Sequence, residues 1–105
     1  MALIHFTKDG FDKAISAAPL AMVDFWAEWC GPCQMLGPVI ERLAEQYEGR
    51  AIVGKVNTDE EQELAMSFGI TGIPTVIFFK DGREIERLVG VMPPDAFIQV
   101  LEQNL

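Results

Sequence analysis

Apolar and polar positions alternate along this chain with two periods, and the switches between them mark out the elements. Residues 2–6 read as a short strand. Thr7 stands where a helix cap is expected, and Phe11, Ala14 and Ile15 follow at helical spacing. Pro19 breaks the chain before a second run, residues 21–27, which is apolar nearly throughout and so fits a strand covered on both faces. A helical segment starting near Cys33 places Met35, Leu36, Val39, Ile40, Leu43, Ala44 and Tyr47 on one apolar face, with Gly49 as its stop signal. Pro38 lies inside it; this predicts either a kink that tilts the first turn or a tolerated proline.

The second half continues the alternation. Residues 51–56 form a third strand. Thr58 and Glu61 have capping-box spacing for a helix over residues 60–68, with Leu64, Ala65 and Phe68 inward and an acidic outer face. Pro74 stands at the start of a fourth strand running through Val76, Ile77, Phe78 and Phe79. Asp81-Gly82 is a two-residue hairpin signal leading into a fifth strand, residues 84–89, which Gly90 ends. Pro94 and Asp95 open a last helix with Phe97, Val100 and Leu101 inward. The order βαβαβαββα predicts an α/β fold: a largely parallel sheet of about five strands with four helices on its two faces and an antiparallel hairpin at one edge.

The pattern has three interruptions, and they carry the candidate chemistry. The first is Trp29-Cys30-Gly31-Pro32-Cys33 at a strand-to-helix turn, which holds the only two cysteines of the chain. Open α/β sheets place their sites beyond the carboxyl ends of strands, where Cys30 falls. Unpaired amides and the positive end of the helix dipole converge there and favour a thiolate, the reactive form of cysteine. Cys33 lies about one helical turn further on, within reach of a sulfur held by Cys30. Pro32 fits the first helical position, and Gly31 leaves the approach to the first sulfur uncrowded. A dithiol/disulfide redox site is the reading this spacing supports best. A structural disulfide closing so small a loop would contribute only about 2 kcal/mol. A zinc site needs about four ligands, and His5, on another element, is the only further His or Cys. His5 itself reads as a solvated strand-end residue.

The other two interruptions are charges inside apolar strands. Asp24 is either a strand-edge or ion-paired carboxylate, or a buried acid with a raised pKa that serves as proton acceptor and donor for Cys33. Lys55 would approach Asp24 if the second and third strands are parallel neighbours; snorkelling to solvent is the competing account.

Length, composition and charge narrow the class further. The chain has 105 residues, 50% of them hydrophobic and 10% aromatic, which fits one domain, residues 1–105, with a core that needs no staple. A net charge of −8 argues against nucleic acid and anionic membrane surfaces as partners. No basic segment followed by a long apolar stretch opens the chain, and no apolar run approaches ~20 residues. The cytoplasm is therefore the expected location, where a disulfide is usually transient and catalytic.

Taken together, the segment Asp24-Phe25-Trp26-Ala27-Glu28-Trp29-Cys30-Gly31-Pro32-Cys33, with Pro38, Lys55, Asp59, Gly72-Ile73-Pro74-Thr75, Gly82 and Gly90, resembles the thioredoxin family over the whole chain. The resemblance implies a central mixed sheet flanked by four helices and a protein-disulfide reductase activity. It implies that Cys30 attacks, that Cys33 resolves, that Asp24 is the buried acid/base and that Lys55 is its charge partner. It implies a cis Ile73–Pro74 bond, which the chain alone would not suggest, and a docking surface of Trp29, Gly31, Pro32, Ile73, Pro74, Gly90 and Val91. Val91-Met92-Pro93-Pro94 departs from the small residues commoner after Gly90 and bears on partner preference. The implied partners are disulfide-containing proteins and a flavin-dependent, NADPH-driven thioredoxin reductase. No bound cofactor or metal is implied, and a monomer is the default. The competing functions are a disulfide oxidase or isomerase and a redox-independent subunit of a larger assembly.

Overall fold

The computed structural model describes residues 2–105. Its elements are β1 (Leu3–His5), α1 (Lys8–Ala17), β2 (Leu20–Trp26), α2 (Gly31–Gln46), β3 (Ile52–Asn57), α3 (Gln62–Ser67), β4 (Thr75–Lys80), β5 (Arg83–Val89) and α4 (Pro94–Asn104). The order is the one that the apolar pattern predicts.

The sheet runs β1-β3-β2-β4-β5. β3 is parallel to both β1 and β2, whereas β4 is antiparallel to β2 and β5 antiparallel to β4. The antiparallel part thus reaches the centre of the sheet, since β4 lies directly beside β2. β2 is the middle strand. Its residues 20–25 are buried on both faces, which explains why it reads as a continuous apolar run.

Strand alternation divides that core. Leu20, Met22, Val76 and Phe78 face α2 and α4 and pack with Leu36, Ile40, Leu43, Tyr47, Phe97 and Leu101. Ala21, Val23, Phe25, Ile77 and Phe79 face the other way, against Phe11 and Ile15 of α1 and Leu64 of α3. Phe68 links this second layer through tilted or edge-on contacts with Phe11, Phe25 and Phe79. Gly54 of β3 is required by close approach. A Cβ there would meet the Phe6 ring and lie 2.6 Å from the Ile4 carbonyl oxygen.

Several local expectations are corrected. Thr7 precedes α1 but makes no capping bond; its hydroxyl donates to the Asp9 carbonyl at 3.0 Å, and α1 has non-helical dihedrals at Asp9 and Gly10. The capping box at Thr58 and Glu61 does not form. The Thr58 hydroxyl instead donates to the Trp26 carbonyl, tying the start of this turn to β2, and α3 begins only at Gln62. The Asn57 side chain takes over, accepting from the amides of Asp59 and Glu60 at 2.9 and 3.2 Å. α2 begins at Gly31, two residues before Cys33, and continues through Pro38 without a break. Met35 is exposed, not on the inward face. The hairpin is as expected: Asp81 and Gly82 have φ of 52° and 84°, the pair of positive values that a tight I′-type turn needs. Among the described residues no helix is long and apolar enough to cross a membrane.

Candidate active site

β2 ends at Trp26, and four residues later the chain enters α2 with Cys30 as its N-cap. The cap is made by sulfur: Cys30 Sγ accepts from the Cys33 amide at 3.2 Å, and the Cys30 carbonyl accepts from the Gln34 amide. One of the otherwise unpaired N–H groups of the helix start therefore points at Cys30 Sγ, which favours negative charge on that atom once the disulfide is opened. Pro32 occupies the second helical position behind Gly31, where a missing N–H leaves nothing unsatisfied. A Cβ at Gly31 would meet nothing within 4 Å, so the approach is open there. Cys30 and Cys33 are joined by a disulfide. Cys30 is 4% and Cys33 2% exposed, and both pack against Ala27, Trp26 and Ile73.

Asp24 follows Leu20 and Met22 on the α2-facing side of β2. It is fully buried, and neither carboxylate oxygen has a hydrogen-bond partner. Burial pushes its pKa up from 3.8 to about 7; the positive charge of Lys55 opposes this without cancelling it. Lys55 is the cross-strand partner of Asp24 in the parallel β2–β3 register, as the sequence suggests. The two side chains make no direct ion-pair contact. The Lys55 ammonium lies over the Trp26 ring, 4.1 Å from its centroid, so its action on Asp24 is through space. Close to it, on the helix side, is Gly37, where an added Cβ would come 4.0 Å from Lys55 Nζ. A buried, unpaired carboxylate that titrates near neutrality can both accept and return a proton.

The second wall of the site comes from the chain between α3 and β4. Ile73–Pro74 is cis. The Ile73 carbonyl oxygen lies 3.8 Å from Cys30 Sγ, and the Pro74 carbonyl accepts from the Gly90 amide at 2.8 Å. Residues far apart in sequence, at 30, 73–74 and 90, thus meet at one end of the sheet.

The expected docking residues divide by exposure. Trp29 and Val91 are 72% and 46% exposed, and Gly31 and Pro32 are open to solvent. Ile73 and Gly90 are half-buried, while Pro74 is buried and supports the surface from below. The Trp29 indole N–H donates to Asp59 at 2.9 Å, which fixes the exposed ring. Asp59 is part of the motif string, but nothing in the sequence assigns it to Trp29. Met66 is also missed: it is 79% exposed and, with Trp29, Thr58, Ile70 and Ile73, lines a groove of about 480 Å³. Helical spacing alone could not announce an outward methionine as part of a site. Among the described residues, no group of three or more His, Cys, Asp or Glu is arranged to hold a metal.

Comparison with known proteins agrees with this geometry. The thioredoxin family profile matches residues 2–103. A thioredoxin of Chlorobaculum thiosulfatiphilum is 45% identical over 94 residues, covering 90% of this chain and 82% of that protein. A thioredoxin of Staphylococcus haemolyticus (strain JCSC1435) is 42% identical over 105 residues and covers both chains completely. The solved structure of a mutant thioredoxin from Halobacterium salinarum NRC-1 superimposes with a TM-score of 0.90 at 40% identity, over 97% of this chain and 89% of that one. With the fold, the Cys-Gly-Pro-Cys turn and relatives matched end to end, this chain belongs to the thioredoxin family.

Proposed function

We propose that the chain, acting as one thioredoxin domain, reduces protein disulfides by two successive thiol–disulfide exchanges, with Cys30 attacking and Cys33 resolving. The protein-disulfide reductase activity itself follows from family membership and the Cys30–Cys33 pair. The observation that carries the assignment of roles is the helix cap: the amide of Cys33 is directed at Cys30 Sγ, so Cys30 is the sulfur that the helix start stabilises as an anion.

In the first step the Cys30 thiolate attacks one sulfur of a substrate disulfide. A Cys30–substrate mixed disulfide forms, and the other substrate sulfur leaves as a thiolate. In the second step Cys33 gives its proton to Asp24 and attacks Cys30 sulfur. The Cys30–Cys33 bond forms, the mixed disulfide breaks, and the second substrate sulfur leaves. Asp24 then returns the proton towards the departing thiolate. The substrate gains two electrons and the chain leaves oxidised. Lys55 tunes Asp24 across the strand pair. Trp29, Gly31, Pro32, Ile73, Pro74, Gly90 and Val91 form the surface that receives the substrate. Re-reduction needs a two-electron donor, which we assign to a flavin-dependent thioredoxin reductase drawing on NADPH, with the chain working as a cytoplasmic monomer.

Replacement of Cys33 by Ser provides the test. Cys33→Ser should retain attack and accumulate a mixed disulfide with insulin that dithiothreitol reverses. Cys30→Ser should accumulate none. Trapping by the Cys30→Ser protein instead would reverse the assigned roles.

A further inference from the structure

We propose that Arg87 is a positioning residue for substrate docking, because its guanidinium anchors the start of the loop that carries the second wall of the site. α3 ends in a Schellman arrangement: the Ile70 amide donates to the Ala65 carbonyl at 3.1 Å and the Gly69 amide to the Met66 carbonyl at 3.0 Å, with Gly69 at φ +64°. These bonds use two of the carbonyls at the helix end. The Phe68 carbonyl points elsewhere and is taken by Arg87 Nη1 at 2.8 Å. The same guanidinium is held by Glu84 through Nε and Nη2, both at 2.9 Å, so its direction is set by a two-point carboxylate contact.

The loop is thereby tied at both ends, to β5 and to the residue that follows it. Arg87 grips the Phe68 carbonyl before it, and the Gly90 amide grips the Pro74 carbonyl after it. Between these ties lie two glycines, Gly69 and Gly72, and no regular secondary structure. Ile70, Gly72 and Ile73 from this stretch line the groove beside Trp29. A loop with free ends would have to be ordered each time a substrate docked, and this ordering opposes binding. Arg87 removes part of that requirement before the substrate arrives. It touches neither sulfur and acts only through the loop.

The inference rests on the reductase reading above, and its test separates the two. Rates are measured for the dithiothreitol-reduced protein with two oxidants: insulin, which needs the groove, and 5,5′-dithiobis(2-nitrobenzoate), which is small enough to reach Cys30 without it. Arg87→Met should slow the reaction with insulin about ten-fold, the lower end of the effect of one lost charge-assisted hydrogen bond, and leave the small disulfide within about two-fold. Arg87→Lys, which retains one donor, should recover part of the insulin rate. Amide exchange at residues 70–73 should speed up in Arg87→Met and less so in Arg87→Lys. Equal losses with both oxidants, or none with insulin, would overturn the positioning role while leaving the reductase reading intact. No reaction of the unaltered protein with either oxidant would remove both.

Discussion

Asp24 shows how one side chain can oppose the fold it belongs to. Its carboxylate is buried without a hydrogen bond, and its pKa rises from 3.8 to about 7 because burial outweighs the pull of Lys55. Between those values the folded chain holds a proton that the unfolded chain has already released. Raising the pH through that window therefore shifts the balance towards the unfolded state, by on the order of 4 kcal/mol at the upper end. Asp24→Asn removes the dependence. In urea titrations of the oxidised proteins, its advantage over the unaltered chain should grow by a few kcal/mol from pH 4.5 to pH 8; a gap that stays constant would contradict the assigned titration. The sequence already marked Asp24 and Lys55 as out of place, since charges within apolar strands have few explanations. It could not show that Lys55 would prefer the face of Trp26, because that choice depends on the side chains that three elements bring together.

Among the elements, β3 is tightly constrained. It is hydrogen-bonded on both sides, and at Gly54 it lies so close to the preceding strand that the Phe6 ring occupies the place of a side chain. Gly54→Ala should lower stability by about 1–3 kcal/mol through overpacking, visible as a lower denaturation midpoint with an unchanged slope. An effect below a few tenths of a kcal/mol would mean that Phe6 moves aside freely. Element types and order were legible because the two hydrophobic periods are strong and because Pro19, Asp81-Gly82 and Pro94 punctuate them. Element starts were less so. The Thr58–Glu61 spacing satisfies the capping rule, yet the Thr58 hydroxyl finds the Trp26 carbonyl of a neighbouring strand and Asn57 supplies the turn. Long-range partners compete with local ones for the same side chain, and local spacing does not contain them. The place of β4 beside β2 was hidden for the same reason: strand order follows from packing across the sheet, not from the hydrophobic alternation within one strand.

At the scale of the molecule, the net charge of −8 acts on every encounter. Trp29, Gly31, Pro32, Ile73 and Val91 are uncharged, so the long-range field around the site comes from the rest of the surface. A cationic disulfide protein should be reduced faster at low ionic strength, with its second-order rate falling about ten-fold between ~0.02 and ~0.5 M salt. An anionic one should show the opposite trend, and stopped-flow rates independent of salt for both would exclude electrostatic steering. The hairpin between β4 and β5 has a consequence for engineering. Its tip, Asp81-Gly82, follows Lys80, which pairs with Leu20 at the start of β2, whereas the redox turn follows the end of that strand. Six residues at ~3.3 Å each separate the two rims by roughly 20 Å. A foreign peptide grafted between Asp81 and Gly82 would thus be displayed on the rim opposite the sulfurs, and the host's own turnover would report whether the chimaera had kept its shape.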